Sequence, residues 1–470
     1  MSQDEYRATD GSSDGLRAAE DKMRAAGQDE EAIRGFRSAY ERLQRGGSGR
    51  LRSADLDPVN DVRSLEQLPA GIDAGALRRF AAIKLNGGLA TTMGLQRPKS
   101  LVHARDGRSF LEIIVGQTLA LRRRHDVALP LVLMNSQATR QETLAALEGQ
   151  PASRYDGLAA DFVQSMIPKL EAESLAPVSW PQAPALEWCP PGHGDVYGAL
   201  RRSRMLASLL ERGFEYAIIS NSDNLGATLD PRIAAHIVSE RIPFLMEVVL
   251  GTEADRKGGH IARRRADGQL VLRESAQTPP EDEGSFRDFR RWRYYNTNNL
   301  WIDLRALSQE LESSDGVLEL PLIVNRKTVD PRDPDSPDVL QLETAMGAAI
   351  ECFSGARLLC VPRTRFVPVK GTDDLLVLRS DVYAVSDELV VAPVAQRNGS
   401  LPFVELDKRF YRMLEDFDAR FPHGPPSLVD AERLVVRGDV TFGAGVVVRG
   451  AVDLSAPSPM RLAPGTVLRG

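Results

Sequence analysis

The 470-residue chain has a formal net charge of −6, is 42% hydrophobic and 26% charged, and holds three cysteines. An acidic balance gives no ground for nucleic acid as a partner. No apolar run approaches the length of a membrane span, and Met1–Asp10 lacks a signal-peptide pattern. Cys189, Cys352 and Cys360 show no metal-ligand spacing and fit inert thiols in a reducing cytosol, so the expected location is cytoplasmic. A chain of this length exceeds one small core. Its patterning divides it into an N-terminal helical region over 1–78, an α/β core over 79–384 and a C-terminal helix with a short β-helix over 385–470.

Residues 1–12 are polar and expected to be loose. Residues 14–46 read as helix with a break near Gly27, because Ile33, Phe36, Tyr40 and Leu43 recur at helical spacing. Gly46-Gly47 closes it, and its expected role is packing. Residues 53–70 are an acidic, proline-containing connection. Phe80 to Ser100 reads FAAIKLNGGLATTMGLQRPKS, a short apolar run that breaks at Gly87-Gly88 and ends in Pro98-Lys99. A buried strand emptying into a glycine turn brings bare backbone N–H groups near an anion, and Lys84 and Lys99 flank that turn. The order of residues is neither a Walker A loop nor a dinucleotide fingerprint.

Beyond Arg79, apolar runs at Leu131–Met134, Tyr216–Ser220, Phe244–Val249, Leu300–Leu304 and Leu358–Val361 alternate with helical stretches. This alternation argues for a mostly parallel sheet wrapped by helices, whose ligands sit beyond the carboxyl ends of the strands. Several polar motifs follow those runs. Met134-Asn135-Ser136 ends one, and Asn221-Ser222-Asp223-Asn224 ends another. A carboxylate at a strand end suits magnesium, which needs only one or two protein carboxylates; an Asx turn is the plain alternative. Gln164 falls in a loop-like stretch. Trp188–Asp195 reads WCPPGHGD, too rich in proline and glycine for regular structure, and frames His193 between glycines. Lys257-Gly258-Gly259 reads as a turn, and Tyr295–Leu304 clusters three asparagines ahead of an apolar run. Gln341–Ala349 has helical composition. Arg363, Arg365 and Lys370 form a candidate phosphate clamp broken by prolines. Residues 405–420 read as one helix, and valine-glycine units after Pro425-Pro426 read as turns of a parallel β-helix.

KLNGGLATTMGLQRPKS closely resembles the nucleotide-binding loop of the eukaryotic-type UTP–glucose-1-phosphate uridylyltransferases, or UDP-glucose pyrophosphorylases. The likeness continues through MNS, WCPPGHGD, NSDNLGA, NTNNLW and RTRFVPVK. Ala90 departs from the family glycine, Cys189 from a common tyrosine and Ser222 from a common isoleucine. The resemblance implies a Rossmann-like nucleotidyltransferase core with a mostly parallel sheet, plus a C-terminal parallel, left-handed β-helix that family members often use in self-association. It implies Mg²⁺ as cofactor, and UTP, glucose 1-phosphate, UDP-glucose and pyrophosphate as the molecules handled. By the same resemblance Leu85, Asn86, Gly87, Gly88, Gln164 and Gly192 contact the nucleotide, with Gln164 on uracil. His193, Asn221, Ser222 and Asn298 are assigned to the sugar phosphate. Lys99 and Lys370 become the catalytic cations and Asp223 the metal ligand, all three also beside the nucleotide. A uridylyltransferase for another sugar 1-phosphate, or a homologue without activity, remains the alternative.

Overall fold

The computed structural model describes residues 12–46, 49–71, 73–150, 154–397 and 400–470. Of the loose start expected over residues 1–12, residues 1–11 lie outside the described residues, as does Gly47, while Ser12 already begins a helix. The chain forms two compact units. One takes Met1–Ile83, Gly157–Ile219 and Pro231–Val361; the other takes Lys84–Asp156, Ser220–Asp230 and Pro362–Gly470.

The first unit opens with two helices, α1 (Ser12–Ala25) and α2 (Glu30–Gln44), separated at Gly27, whose φ of +76° suits a residue without Cβ. Asp29 starts α2 by accepting the N–H of Ala32 at 2.8 Å. The expected stripe is the buried face: Ile33, Phe36, Tyr40 and Leu43 are at most 5% exposed. They pack with Ile167, Leu170, Leu340 and Leu342. Burying four such side chains contributes about 6–12 kcal/mol before entropy is charged against it. This unit also holds most of the largest sheet, which has ten strands among the described residues. Tyr294–Asp303 runs antiparallel to both Tyr216–Asn221 and Phe244–Leu250, and Phe244–Leu250 runs parallel to Arg357–Cys360. His260–Arg264 pairs antiparallel with Leu56–Pro58 and Leu270–Arg273. The fold is α/β, and the sheet is mixed at this end.

Two local expectations change. The asparagine cluster lies inside a strand, because Tyr294–Asp303 begins before it. That strand stops where Asp303 accepts the N–H groups of Arg305 and Ala306 and starts the helix Leu304–Ser313. Gln341–Thr344 is strand, not helix: Asp338–Thr344 pairs antiparallel with Leu322–Thr328, burying Leu340 and Leu342. Gln164 lies where expected, in the loop that follows a short strand, Asp161–Val163.

In the second unit, Lys84–Asn86 and Ser220–Asn221 are the ends of two long strands, Phe80–Asn86 and Tyr216–Asn221. Helix Phe110–His125 starts on a reciprocal Ser109–Glu112 cap, and Ser136 caps Gln137–Glu148. The single helix expected over 405–420 is absent. Phe403–Leu406 is a strand parallel to Arg433–Val436, and Asp407 then accepts the N–H groups of Arg409 and Gly438. Short helices Lys408–Tyr411 and Leu414–Arg420 follow, divided at Met413, whose backbone is extended. Four parallel strands finish the chain, with Ser427 opposite Val447 and Val447 opposite Val467. Gly445 and Gly465, at φ of +67° and +72°, turn the chain ahead of successive strands.

Candidate active site

Within the second unit, two strand ends are bolted together. Asn86 donates to Asn135 Oδ1 at 2.8 Å and Thr143 Oγ1 at 2.9 Å, and accepts from Ser222 Oγ at 3.2 Å. Ser222 N–H donates to Leu85 O at 3.0 Å. The amide of Asn86 is thereby committed to holding the turn that carries Gly87 and Gly88. Gly88 is open: a Cβ there would meet nothing within 4 Å. Its carbonyl accepts Lys99 N–H at 3.1 Å, which folds Lys99 back over the turn. Ala90 has φ −79° and is fully buried, so its methyl costs no backbone strain.

Lys99 Nζ lies 2.7 Å from Asp223 Oδ2, the two side chains being 16% and 19% exposed. The other oxygen, Asp223 Oδ1, is buried without a hydrogen-bond partner. Asp223 O accepts Val369 N–H at 3.2 Å, and Asn224 bridges to Pro368, so the segment ending in Lys370 is laid along the same loop. Lys370 is exposed, while its backbone N–H and that of Gly371 donate to Asp374 Oδ2 at 2.7 and 3.1 Å. Burial pushes the Asp374 carboxyl up; those amides, then Lys370 and Lys99, pull it back. Lys99, Asp223 and Lys370 therefore converge, with Asn221 and Ser222 on the strand end leading into Asp223. Asp374 was not foreseen, although an acid three residues after Gly371 is an N-terminal helix signal.

Two expected cations are spent elsewhere. Lys84 is 5% exposed and donates to Ser220 Oγ and Ala227 O at 2.8 and 2.6 Å. Arg365 is buried and donates to Thr228 O at 2.8 Å, so it braces the loop instead of joining a phosphate clamp. Among the described residues no cluster of three or more His, Cys, Asp or Glu suits a metal. A single carboxylate with one free oxygen matches magnesium, which takes the rest of its shell from phosphate and water.

The first unit carries Gln164, Gly192, His193 and Asn298. Gly192 has φ +83°, and a Cβ there would sit 2.7 Å from Thr344 N. Only glycine permits this approach. His193 Nδ1 accepts Met346 N–H at 2.9 Å, which leaves the proton on Nε2. Burial lowers its pKa to about 4, so it is a neutral donor. Asn298 is held at φ +57° by reciprocal bonds with Asn296, both 2.8 Å. Asn296 lies against Gly347, the residue after Met346, which brings the histidine and asparagine segments together. Glu247 is fully buried inside its strand and accepts from Asn299 at 3.0 Å and Trp301 at 2.8 Å. Gln164 is 7% exposed; the residue after it is held by Asp195, whose Oδ2 accepts Ser165 N–H at 2.7 Å. Asp195 also pairs with Arg202 at 2.6 Å. This pair was not anticipated from GHGD. Burial pushes the Cys189 thiol up to about 12 and the Cys352 thiol to about 11.

The architecture is shared by solved nucleotide-sugar enzymes. A mutant UDP-glucose pyrophosphorylase from Leishmania major in complex with UDP-glucose superposes with a TM-score of 0.92 at 40% identity, covering 97% of this chain and 98% of that one. A structure described as UDP-glucose phosphorylase from Trypanosoma brucei gives 0.91 at 40% identity, with the same coverage of 97% and 98%. The class is therefore nucleotidyltransferase. A family model described as UTP–glucose-1-phosphate uridylyltransferase matches residues 33–449. The Hordeum vulgare enzyme of that name is 38% identical over 463 residues, spanning 97% of this chain and 95% of that protein. The Saccharomyces cerevisiae one is 39% identical over 405 residues, spanning 86% and 79%. The chain belongs to the UTP–glucose-1-phosphate uridylyltransferase family.

Proposed function

We propose that this chain, with Mg²⁺, interconverts UTP plus α-D-glucose 1-phosphate and UDP-glucose plus pyrophosphate. The observation that carries the reading is the Lys99–Asp223 pair, with Val369 bonded to the Asp223 carbonyl so that Lys370 follows directly. A phosphate oxygen of the sugar phosphate attacks the α-phosphorus of UTP and forms the new P–O bond. The bond from that phosphorus to the α,β-bridging oxygen breaks, and its electrons leave with pyrophosphate. The nucleophile is already ionised near neutrality, so no general base is required. The obstacle is repulsion between two polyanions, and positioning with charge neutralisation answers it.

In this reading Lys99 and Lys370 neutralise the phosphates, and the turn at Leu85–Gly88 lets backbone approach the nucleotide. Asp223 Oδ1, buried and unpartnered, would hold the metal. When bound, Mg²⁺ supplies positive charge beside the phosphate oxygens. Gln164 reads uracil, Gly192 lies along the nucleotide, and Asn221 and Ser222 border the sugar phosphate. His193, donating from Nε2, and Asn298 orient it. The four C-terminal parallel strands are read as the beginning of a left-handed β-helix that supports self-association. A cytoplasmic location fits three free thiols and the absence, among the described residues, of any helix long and apolar enough to cross a membrane.

Pyrophosphate release from UTP should be compared with glucose 1-phosphate, galactose 1-phosphate and N-acetylglucosamine 1-phosphate. Glucose 1-phosphate is expected to give the highest kcat/KM. A preference for either rival overturns the substrate assignment, and thermal stabilisation by UTP without turnover on any of them overturns catalysis.

A further inference from the structure

The turn between α1 and α2 reaches the strand end that carries Gln164. Gln28 Oε1 accepts Met166 N–H at 3.1 Å. Asp195 Oδ2 accepts the preceding amide, Ser165 N–H, at 2.7 Å. The two consecutive amides after Gln164 are thus held by side chains. Arg202 completes the frame: it donates to Asp195 Oδ1 at 2.6 Å and Ser165 Oγ at 3.3 Å, and its Nε lies 3.4 Å from Asp29 Oδ2. Asp195 and Arg202 are 9% and 11% exposed, so these charge-assisted bonds act with little competition from water. Asp195 N–H also bonds Gly192 O at 3.3 Å, which ties the frame to the glycine preceding His193. A cavity of about 100 Å³ lies beside it, bordered by Ala32, Phe36, Pro191, Asp195, Arg202 and Thr344. Close packing is interrupted there, so polar tethers add to the apolar packing of α2 against Ile167 in locating the helix turn.

We infer that Gln28 and Asp29, acting with the Arg202–Asp195 pair, are positioning residues for Gln164, and so set the enzyme's discrimination between uracil and cytosine. The inference rests on the assignment of Gln164 to the base. The N-terminal hairpin is then part of nucleotide recognition and not only a packing element.

The test is steady-state turnover of the full chain with UTP and with CTP, for Gln28→Ala, Gln28→Glu, Asp29→Ala and Gln164→Ala. Losing one hydrogen bond that locates the base-reading residue is expected to raise KM for UTP about fivefold in Gln28→Ala and to lower the UTP-over-CTP preference by a similar factor. The kcat at saturating UTP and KM for glucose 1-phosphate stay within about twofold. Gln28→Glu keeps an oxygen acceptor at the same reach and restores the preference. A Gln28→Ala protein that melts lower but discriminates as well as the parent has lost only structure, and overturns the inference. Should Gln164→Ala also leave discrimination intact, the uracil assignment itself falls; should Gln164→Ala lose it while Gln28→Ala and Asp29→Ala keep it, only the positioning role falls.

Discussion

Replacing Lys99 by methionine keeps the length of the side chain and deletes its charge. Lys99 Nζ and Asp223 Oδ2 are 2.7 Å apart, a separation at which unit charges attract by about 6 kcal/mol in an effective dielectric of about 20. Both groups are more than four-fifths buried, so the dehydration already suffered cancels much of this. Removing one partner leaves a stranded carboxylate, at a cost of about 2–3 kcal/mol, just below the range for fully buried pairs. Lys99→Met should therefore unfold at lower denaturant. The double variant Lys99→Met/Asp223→Asn should regain part of that loss, giving a coupling of at least about 1 kcal/mol. The rate responds on a different scale: a cation aimed at phosphate charge is worth about 10²–10³ in kcat. Initial rates of pyrophosphate release across a UTP series, on protein shown to be folded by circular dichroism, separate the two effects. A folded Lys99→Met with kcat and KM for UTP within threefold of the parent would refute the placement of Lys99, and additive stabilities would refute the pair.

Asp223→Ala should lose turnover by orders of magnitude while remaining folded, and should bind Mn²⁺, followed by its EPR signal with UTP present, more weakly than the parent; undiminished binding removes Asp223 as the ligand. Lys370→Ala should cut kcat about a hundredfold or more with little change in melting, since its side chain is exposed. Ala90→Gly should leave KM for UTP within twofold, because the φ of −79° needs no glycine; a marked gain in affinity would show that the methyl obstructs the nucleotide. His193 is held neutral, its pKa lowered to about 4 by burial. Between its unfolded pKa near 6.5 and about 4 the unfolded chain binds the extra proton. Its contribution is therefore favourable above pH 6.5 and lost as pH falls through that window. Thermal melts of His193→Gln should show a shallower decline between pH 6.5 and 4 than the parent, and parallel curves would contradict the assignment.

What could be read from sequence was what depends on local pattern. The α2 stripe, the strand opening at Phe80 and the strand ending ahead of Asp223 are short-range signals, and each lies where the spacing puts it. The site's cations were legible as types but not as partners. Lys84 and Lys99 flank the same turn, yet Lys84 lies in a strand buried along its whole length and binds Ser220 and Ala227. Arg365 and Lys370 share a short segment, yet one is buried and the other exposed. Asp195 with Arg202, and Asp374 with the amides at 370–371, act through tertiary placement that no local period announces. Nothing local marks the break at Met413, because Leu406, Phe410, Met413 and Phe417 keep helical spacing. Pairing of Phe403–Leu406 in a parallel sheet overrides that spacing.

The most direct measurement is pyrophosphate release from UTP with glucose 1-phosphate, taken with Mg²⁺ and again with excess EDTA. The account expects release that needs both glucose 1-phosphate and the metal, and that recovers when Mg²⁺ is restored. Release without glucose 1-phosphate, equal rates in EDTA, or no release from folded protein would contradict it.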